Sequence, residues 1–528
     1  MSFLLLFSFL FFALSGLVFM QRHLHMLQQN SYFPSRYFGW LKSSFTVPNL
    51  FCPLLFVVAF GLMYLNCGHF LLPISIIVFG FSCLTWHAAQ KRAIKKLVYT
   101  ARVKRLIAAT AVLSALPLIF YCLLPGLYRL WGTVTLLFAY FPFLLMLTGF
   151  YCALPVEKAI ANQYLKQAKQ ILVAHPDLKV LGVTGSFGKT TVKTVLARLL
   201  SEKYNVVATP GSFNTPMGIV RTVREHLRPE TEIFIAEMGA KNVGDIAELC
   251  KICHPQSGII TAVGPQHLET FKTLENVANT KFELAQSCLA AGGSIYVNAD
   301  SEPALNAAKK LPQGAKVITY GTAEGADCRV LSPVVHKNGC SFTLKYNGQE
   351  IQLVSRLLGK YNMVNIAGAA AMALDLGVTP KQLRFAVTRL EQTPHRLELK
   401  SFYNGSTLLD DAYNANPVGC LEAVRVLDSF NGMKKIIVTP GLVELGEAEY
   451  ESNVALGKAA AEVCDTIILV GENRAVPLKA GAEQQNYPPE QLVVTKTLQE
   501  ALDLLKDITT PNTVVLFEND LPDNYNEE

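Results

Sequence analysis

Charged residues are scarce in this sequence. Only 17% of its 528 residues are Asp, Glu, Lys or Arg, whereas about a quarter are charged in a typical soluble domain. Hydrophobic residues reach 51%, and the mean hydropathy is +0.28. This balance argues against a chain that is water-soluble throughout. The long apolar runs all lie within residues 1–154, which we predict to be a transmembrane region.

The first apolar run, residues 3–20, lacks the features of a removed signal peptide. It has no basic segment before it and no cleavage site of small residues after it. We interpret it as the first of about five transmembrane helices. The other four are predicted at residues 50–65, 70–86, 106–124 and 130–154. Each can cross a hydrocarbon core of ~30 Å, the shortest with a few flanking residues.

A basic cluster separates the third and fourth apolar runs. It comprises Lys91, Arg92, Lys95, Lys96, Arg102, Lys104 and Arg105. Positive loops between membrane spans face the cytoplasm, so everything after residue 154 is predicted to be cytoplasmic in a multi-pass protein of the cell membrane. A nucleic-acid patch is the alternative, but the position between two spans favours topology or contact with anionic lipid, and we predict no nucleic-acid partner. Residues 155–178 have the spacing of a connecting helix.

The twelve cysteines do not form a secreted disulfide framework, because several lie within apolar runs and the rest follow no regular spacing. Cys250 and Cys253, followed by His254, match a haem-attachment pattern. That attachment occurs outside the cytoplasm, and no second cysteine pair supports zinc. We interpret both cysteines as buried residues at the end of a helix.

The stretch VLGVTGSFGKTTVKTVLARLL, residues 180–200, has the layout of a strand, a phosphate loop and a helix. Its loop residues are Gly185, Ser186, Gly188, Lys189, Thr190 and Thr191. Glycines let backbone N–H groups converge on phosphate, the lysine reaches terminal phosphates, and a threonine hydroxyl can bind Mg²⁺. The outer glycine is Gly182, one residue before the position of the strict motif. The stretch predicts binding of a nucleoside triphosphate.

Beyond residue 179, apolar strand patterns alternate with helical ones, which predicts α/β organisation with ligand groups at the carboxyl ends of the strands. Strands are predicted at 206–208, 233–237, 258–263, 436–439, 466–470 and 513–517. Glu237 ends one strand and His267 follows another, while Lys281 lies in a helix. Taken singly, a helix-capping glutamate, a surface histidine and a solvated lysine are ordinary readings of these residues.

Six motifs in sequence order make a resemblance specific. They are GVTGSFGKTT, EMGA with NVGDIAELC, GPQHLETF with NTKFEL, LLGKYNMVNIAGAAA, PHRLE and DDAYNANPVG. This set resembles the Mur ligases, ADP-forming amide ligases of cell-wall synthesis, and looks most like their MurF branch, which adds D-alanyl-D-alanine. The resemblance implies a central ATP-binding domain at residues 179–397 and a Rossmann-like C-terminal domain at 398–528 that holds the incoming amine.

The resemblance also implies roles for individual residues. Gly188, Lys189 and Thr190 would bind ATP phosphates, Thr190 and Glu237 one Mg²⁺, and His267 a second Mg²⁺. Lys281 occupies a position that is carbamylated in many Mur ligases, where the modified lysine becomes an anionic metal ligand. The nucleotide would also contact Asn362, Asn365, the hinge residue Arg396, Asp411 and Asn414, with Asn298 and Asp300 as further candidates. Tyr361 replaces the histidine usual before Asn362.

Two departures from the MurF pattern bear on function. The chain before Lys179 has no counterpart of the soluble domain that binds the UDP sugar, so we expect the acyl substrate to be muropeptide-like and lipid-linked or presented at the bilayer. The C-terminus is acidic, LFENDLPDNYNEE, where MurF has a basic segment, so the amine donor, an amino acid or dipeptide, need not be D-alanyl-D-alanine. The leading hypothesis is an ADP-forming carboxylate–amine ligase. The alternatives are a membrane-bound ATPase, a MurF merely tethered to the membrane, and a non-catalytic scaffold.

Overall fold

A computed structural model describes residues 2–30, 32–43, 51–65, 68–92, 96–413, 415–443 and 445–520. These residues form two compact units, which divide after Asn162. The first unit is entirely helical. It contains α1 (Ser2–Gln29), α2 (Pro34–Ser43), α3 (Phe51–Tyr64), α4 (Leu71–Arg92), α5 (Ala101–Leu123), α6 (Tyr128–Tyr140) and the first part of α7 (Pro142–Val173).

Four segments of the described chain are long and apolar enough to cross a membrane, not five as predicted. They are Phe3–Gln29, Leu71–Lys91, Ala101–Leu123 and Pro142–Val173. The predicted run at 130–154 is split between α6 and α7, because Phe141 leaves the helical conformation (φ −123°, ψ 65°) before Pro142. Proline lacks an N–H group and favours the first turn of a new helix. The run at 50–65 yields the shorter apolar helix Leu55–Tyr64.

The predicted connecting helix is the second half of α7, which continues through Pro155 to Val173. Within the first unit, Glu157 of this helix accepts a bidentate pair of hydrogen bonds from Arg105, at 2.6 and 2.9 Å. The guanidinium of Arg102 lies 3.9 Å from the ring centroid of Tyr32. Part of the predicted basic cluster therefore has partners inside its own unit, while Lys95 lies outside the described residues.

The second unit begins with a nine-stranded sheet in the order β2-β3-β1-β4-β5-β6-β7-β8-β9. Its strands are β1 (Lys179–Thr184), β2 (Val206–Ala208), β3 (Ile233–Glu237), β4 (Ser257–Ile260), β5 (Ile295–Asn298), β6 (Val317–Gly321), β7 (Cys328–His336), β8 (Gly339–Tyr346) and β9 (Gln349–Ser355). The pairs from β2 to β7 are parallel, and β7, β8 and β9 pair antiparallel.

Helices cover both faces of this sheet, which is why strands such as β3 are buried on every residue. They are α8 (Lys189–Leu200), α9 (Pro216–His226), α10 (Asp245–Cys253), α11 (Leu268–Phe271), α12 (Leu274–Ala290), α13 (Glu302–Ala308), α14 (Lys360–Asp375) and α15 (Pro380–Thr388). One apolar core includes side chains of α8, α14 and α15, and the other includes side chains of α9, α10 and α12. Cys250 and Cys253 are buried in the second core, at the end of α10.

A six-stranded sheet follows, in the order β10-β11-β15-β12-β13-β14. Its strands are β10 (Glu398–Ser401), β11 (Thr407–Asp411), β12 (Lys434–Thr439), β13 (Thr466–Val470), β14 (Leu492–Thr495) and β15 (Thr513–Glu518). Its helices are α16 (Pro417–Asp428), α17 (Glu449–Val463), α18 (Ala475–Glu483) and α19 (Leu498–Ile508). All strands but β10 run parallel. Leu358 and Tyr361, next to and within α14, pack into the core of this sheet and join the two α/β parts.

Candidate active site

The predicted phosphate loop connects β1 to α8, as the sequence pattern indicated. Gly185 and Gly188 have φ values of +148° and +79°. A Cβ atom at Gly185 would lie 1.9 Å from the hydroxyl of Thr261, and one at Gly188 would lie 2.8 Å from Oδ1 of Asn365. Backbone conformation and space therefore both require glycine here. Ser186 is buried, and its Oγ donates to the carbonyl of Gly264 at 3.0 Å.

Lys189 folds back over its own loop instead of facing solvent freely. Its Nζ donates to the carbonyl oxygens of Gly185 at 2.8 Å and Ser186 at 3.0 Å. Burial lowers the pKa of Lys189 to about 8, the Glu237 carboxylate opposes that shift, and Arg396 adds to it. The ammonium is thus held against the phosphate loop by neutral carbonyl oxygens, which a charged phosphate can replace.

Glu237 ends β3 beside this loop, and its side chain is almost fully buried. Its Oε1 accepts hydrogen bonds from the hydroxyl of Thr190 at 3.2 Å and from Nδ2 of Asn214 at 3.1 Å. The ammonium of Lys193 lies 3.0 Å from Oε2. A buried carboxylate needs such partners to stay charged. Oε2 has this ion pair but accepts no hydrogen bond from the described residues.

Lys193 and Asn214 were not singled out from the sequence, although both contact Glu237. Lys193 follows Lys189 by one helical turn, so the two lie on the same side of α8. It also donates to the carbonyl of Gly211. Asn214 lies in the loop before α9, in the segment GSFNTP. The sequence signal that could have identified Lys193 was the i, i+4 pair of lysines at the start of the phosphate-loop helix. Thr191, which was predicted as a loop residue, is buried in the same helix.

Lys281 is a buried residue of α12, not a solvated one. Burial lowers the pKa of its ammonium well below the usual value, and nearby Lys189 lowers it further, while Asp245 and Glu283 oppose the shift. Such a shift favours the neutral amine, which is the form that reacts with carbon dioxide. His267 precedes the short helix α11 and has a left-handed backbone, φ +51°.

The predicted nucleotide-contacting residues converge from both α/β parts. Asn362 and Asn365 are buried on α14, and Nδ2 of Asn365 donates to Oδ1 of Asn362 at 3.1 Å. Arg396 lies with its guanidinium carbon 5.0 Å from the ring centroid of Tyr413. Oδ1 of Asp411 accepts from the backbone N–H of Leu397 at 3.1 Å.

Not every predicted residue is in this group. Asn414 lies outside the described residues. Asp300 accepts hydrogen bonds from the backbone N–H groups of Thr322 and Ala323, so it serves the loop after β6. Asn298 accepts from the N–H of Asp300 at 2.9 Å.

A second acidic group in the described chain contains His395, Glu398 and Asp410, whose ligand atoms lie within 4.8 Å of one another. Nζ of Lys400 lies 2.7 Å from Glu398 and 2.7 Å from Asp410. This ammonium supplies a positive partner for both acids, and Nδ1 of His395 lies 2.8 Å from Asp410. The geometry therefore favours a structural ion-pair network at the hinge.

The residues of the phosphate-loop edge fit a nucleoside triphosphate with Mg²⁺. Two tight glycines leave room for phosphate, and the Thr190 hydroxyl and Glu237 carboxylate offer the hard oxygen ligands that Mg²⁺ prefers. The hydroxyl groups of Ser212 and Tyr413 lie 2.9 Å apart. This contact joins a loop of the nine-stranded sheet to the segment after β11, so the edge is enclosed by both α/β parts.

Comparison with known families agrees with this architecture. The Mur ligase middle domain matches residues 183–373, and the Mur ligase glutamate ligase domain matches residues 395–518. The UDP-N-acetylmuramoyl-tripeptide--D-alanyl-D-alanine ligase of Bacillus subtilis is 32% identical over 286 residues, which are 54% of this chain and 61% of the relative. The Escherichia coli protein of that name is 29% identical over 321 residues, which are 60% of this chain and 70% of the relative.

Solved structures give the same result. MurF ligase from Thermotoga maritima in complex with ADP superimposes with a TM-score of 0.60 and 28% identity, covering 68% of this chain and 80% of that one. MurF from Acinetobacter baumannii gives a TM-score of 0.60 and 25% identity, covering 69% and 78%. In the sequence comparison, the chain spans 61% of the Bacillus subtilis relative, which is less than two thirds of its length. On the sequence, the sheet order and the phosphate-loop geometry together, this chain belongs to the Mur ligase family, with the middle and C-terminal domains of that family in residues 183–518.

Proposed function

We propose that this chain is an ATP-dependent, ADP-forming amide ligase. It joins an amino acid or short peptide to the carboxylate of a muropeptide-like substrate in peptidoglycan-type synthesis. The observation that carries the proposal is the buried Glu237 carboxylate, held by Thr190, Asn214 and Lys193 beside the phosphate loop. The names of the relatives, which specify a D-alanyl-D-alanine ligase, support the reaction class.

The reaction has two steps. A substrate carboxylate oxygen attacks the γ-phosphorus of ATP, the bond to the β-phosphate oxygen breaks, and ADP leaves. The amine nitrogen then attacks the acyl carbon, phosphate leaves with the C–O bonding pair, and the nitrogen loses a proton. Bound Mg²⁺ would neutralise charge on the transferring phosphoryl group. Thr190, Glu237 and His267 would hold the metal ions.

The protein's own residues position the nucleotide and neutralise the charge on its phosphates. Lys189 exchanges its carbonyl partners for phosphate oxygens and stabilises the charge that develops there. Lys193 keeps Glu237 oriented through its ion pair with Oε2. Asn362, Asn365, Arg396 and Asp411 hold the nucleotide between the two α/β parts, so turnover depends on their contact at Ser212 and Tyr413.

We further propose that Lys281 is carbamylated. Its enclosed, neutral amine can attack carbon dioxide, forming the N–C bond and releasing one proton. The resulting carbamate is an anion close to Lys189, and it would serve as a bridging metal ligand. Burial of an unmodified ammonium beside another cation is unfavourable, which supports the modified form.

We propose a multi-pass membrane location with the ligase domains in the cytoplasm, and a lipid-linked acyl substrate. The support is the four long apolar helices, together with the basic residues at the end of α4 and the start of α5. A lipid-linked substrate would be confined to the same plane as the enzyme, which raises its effective concentration. A soluble UDP-linked substrate would gain nothing from that confinement.

The test is ADP release by the full chain in detergent or nanodiscs, with lipid-linked and UDP-linked muropeptides and a panel of amines. We expect ADP release to require both an acyl substrate and an amine, and to be faster with the lipid-linked acyl substrate in nanodiscs. ADP release that is independent of any amine would instead favour a membrane-bound ATPase. Equal rates on the two substrate types would mean that the apolar helices only tether the enzyme.

A further inference from the structure

The carboxyl edge of the six-stranded sheet contains an acidic pair, Asp411 and Glu518. Each residue ends its strand, and the two are paired in register on the neighbouring parallel strands β11 and β15. Side chains two residues apart share one face of a strand. Glu518 therefore continues the face of Leu516, and Asp411 that of Leu409, which both lie in the core against α16. The acidic pair lies where this apolar layer ends.

Glu518 is buried without a partner. Its side chain is 0% exposed, and neither carboxylate oxygen has a hydrogen bond within the described part of the chain. The neighbouring Asp411 accepts one hydrogen bond, from the N–H of Leu397, and remains partly exposed. Registered neighbours in a sheet are about 5 Å apart, so each carboxylate also faces the other's negative charge. Two enclosed acids in this arrangement need either bound protons or a positive charge.

The protein supplies only part of that charge. Burial raises the pKa of Asp411 to about 7 and that of Glu518 well above its usual value, and Arg396 is the cation that opposes both shifts. Its guanidinium stacks near Tyr413 instead, and no ion pair within 4.0 Å joins it to either acid of the pair. When both acids are ionised, one arginine leaves a net negative charge, which a bound cation would balance in place of a proton. This contrasts with the hinge group, where Lys400 contacts both of its acids directly.

We propose that the acidic pair is a specificity subsite that binds a second cationic group of the incoming amine substrate. The inference rests on the proposed ligase function and names the substrate class: a basic amino acid or diamine. Carboxyl ends of parallel strands are where α/β sheets bind ligands. Asp411 is the partly exposed member of the pair, and its carboxylate would be shared between the nucleotide contact proposed above and the substrate cation.

The bound cation is not the reacting amine. Two carboxylates stabilise an ammonium and raise its pKa, whereas attack on an acyl phosphate requires the neutral amine. The pair would therefore suppress reaction of any amine that it held. A substrate with two amino groups resolves this, because one is bound as ammonium while the other stays free to lose its proton.

The test compares lysine with norleucine, which has the same chain length but lacks the second ammonium. Binding of both enantiomers is measured by calorimetry on the full chain in detergent, with ADP and Mg²⁺ present. We expect lysine to bind at least about tenfold more tightly than norleucine, in keeping with the cost of removing one partner of an enclosed charge pair. Glu518→Gln should remove this preference. Glu472→Gln is the matched control, because Glu472 follows β13 at the same edge but is 64% exposed.

Glutamine has the size of glutamate, and Glu518 has no partner to lose, so the variant is expected to fold; Asp411→Asn provides a second variant. Equal affinities for lysine and norleucine in the unsubstituted protein, or a preference that survives in both variants, would overturn the proposal. So would tighter binding of D-alanyl-D-alanine than of lysine. Preferential lysine binding without amine-dependent ADP release would instead refute the ligase function. Amine-dependent ADP release without any lysine preference would refute the subsite alone.

Discussion

The two sheet edges of the second unit each contain a buried carboxylate, and the groups that surround it differ. At the nine-stranded sheet, Glu237 ends β3 and has three side-chain partners: a hydroxyl, an amide and an ammonium. At the six-stranded sheet, Glu518 ends β15, is equally buried and has no hydrogen-bond partner among the described residues. Within the described chain, Oε2 of Glu237 also lacks a hydrogen bond, but it lies 3.0 Å from the Lys193 ammonium, whereas no ion pair within 4.0 Å joins Arg396 to Glu518.

This difference distinguishes the site of phosphoryl transfer from the proposed site of substrate selection. Phosphoryl transfer benefits from groups that need no rearrangement when charge develops. A subsite that selects one substrate benefits from a buried polar group that only the right ligand satisfies. Removal of groups from the first edge should thus abolish chemistry or stability, and changes at the second should alter selectivity and pH response.

The largest effect is expected at Lys189. Lys189→Ala removes the ammonium that faces the transferred phosphate and should lower amine-dependent ADP release by about a hundredfold or more. Circular dichroism should show an unchanged fold, because the lost bonds are only to loop carbonyls. Lys345→Ala, at an exposed position of β8, is the control. A rate within about tenfold of the unsubstituted protein, or ~1.4 kcal/mol, would contradict the phosphate-loop assignment.

Lys281→Ala should also be inactive, because it removes the proposed anionic metal ligand. Small carboxylates should restore part of the activity by occupying the vacated position. Labelled bicarbonate should give a carbamate carbon signal in NMR spectra of the unsubstituted protein, and this signal should be absent in the variant. Lys251→Ala, at an exposed position of α10, should keep both the signal and the rate. Unchanged turnover in Lys281→Ala would show that the lysine has only a structural role.

Lys193→Met tests whether the first edge is held together by its ion pair. The substitution leaves Glu237 buried and charged without its cation, so the free energy of unfolding should fall by about 3 kcal/mol. Adding Glu237→Gln should recover part of the loss. Lys435→Met is the matched control, since Lys435 pairs with Asp428, which is 61% exposed, and such pairs contribute less than about 1 kcal/mol. Equal losses in the two lysine variants would contradict the comparison.

The smallest effect is a pH dependence from the acidic pair. Burial raises the pKa of Asp411 to about 7, with Asp410 adding to the shift and Arg396 and the Leu397 N–H opposing it. Because the folded protein binds the proton more tightly than the unfolded chain, stability falls as pH rises from about 4 through 7. The other groups that act there are Glu518, Tyr361, Cys420 and Glu422.

We therefore expect the free energy of unfolding to drop by about 2 kcal/mol or more between pH 5 and pH 8, and Asp411→Asn combined with Glu518→Gln to remove most of this slope, because burial also raises the pKa of Glu518. Urea unfolding across that range measures it. Glu472→Gln should leave the slope unchanged. A slope that persists in the double variant would assign the pH dependence to other groups.

Much of the fold could be predicted from local patterns. The strands at 206–208, 233–237 and 466–470 lie where their apolar runs indicated, because buried parallel strands are continuous apolar segments. The strands β7 to β9 were not predicted. They form an antiparallel meander in which exposed and buried residues alternate, for instance along β9, so no continuous apolar run marks them. The break at Phe141 was also missed, because hydropathy does not register the geometry before a proline.

The candidate site was predictable wherever residues lie next to one another in the chain. The glycines, Lys189 and Thr190 belong to one loop, and their roles follow from backbone geometry. Asn214 and Lys193 were missed as partners of Glu237, because three separate segments bring them together. The sequence alone left Lys281 as either a solvated residue or a functional one, and its burial excludes the solvated one.

The sequence by itself determined the family, the order of the domains, the apolar helices and the phosphate loop, because each depends on residues close in the chain or on motifs in a set order. Only the tertiary structure decided the surroundings of the buried ionisable groups. Whether Glu237 has an ammonium beside it, the pKa of Lys281 is lowered and Glu518 is left without a hydrogen bond in the described chain depends on which strands and helices meet. Desolvation and distance set a charge's free energy, and both arise from packing between segments far apart in the chain.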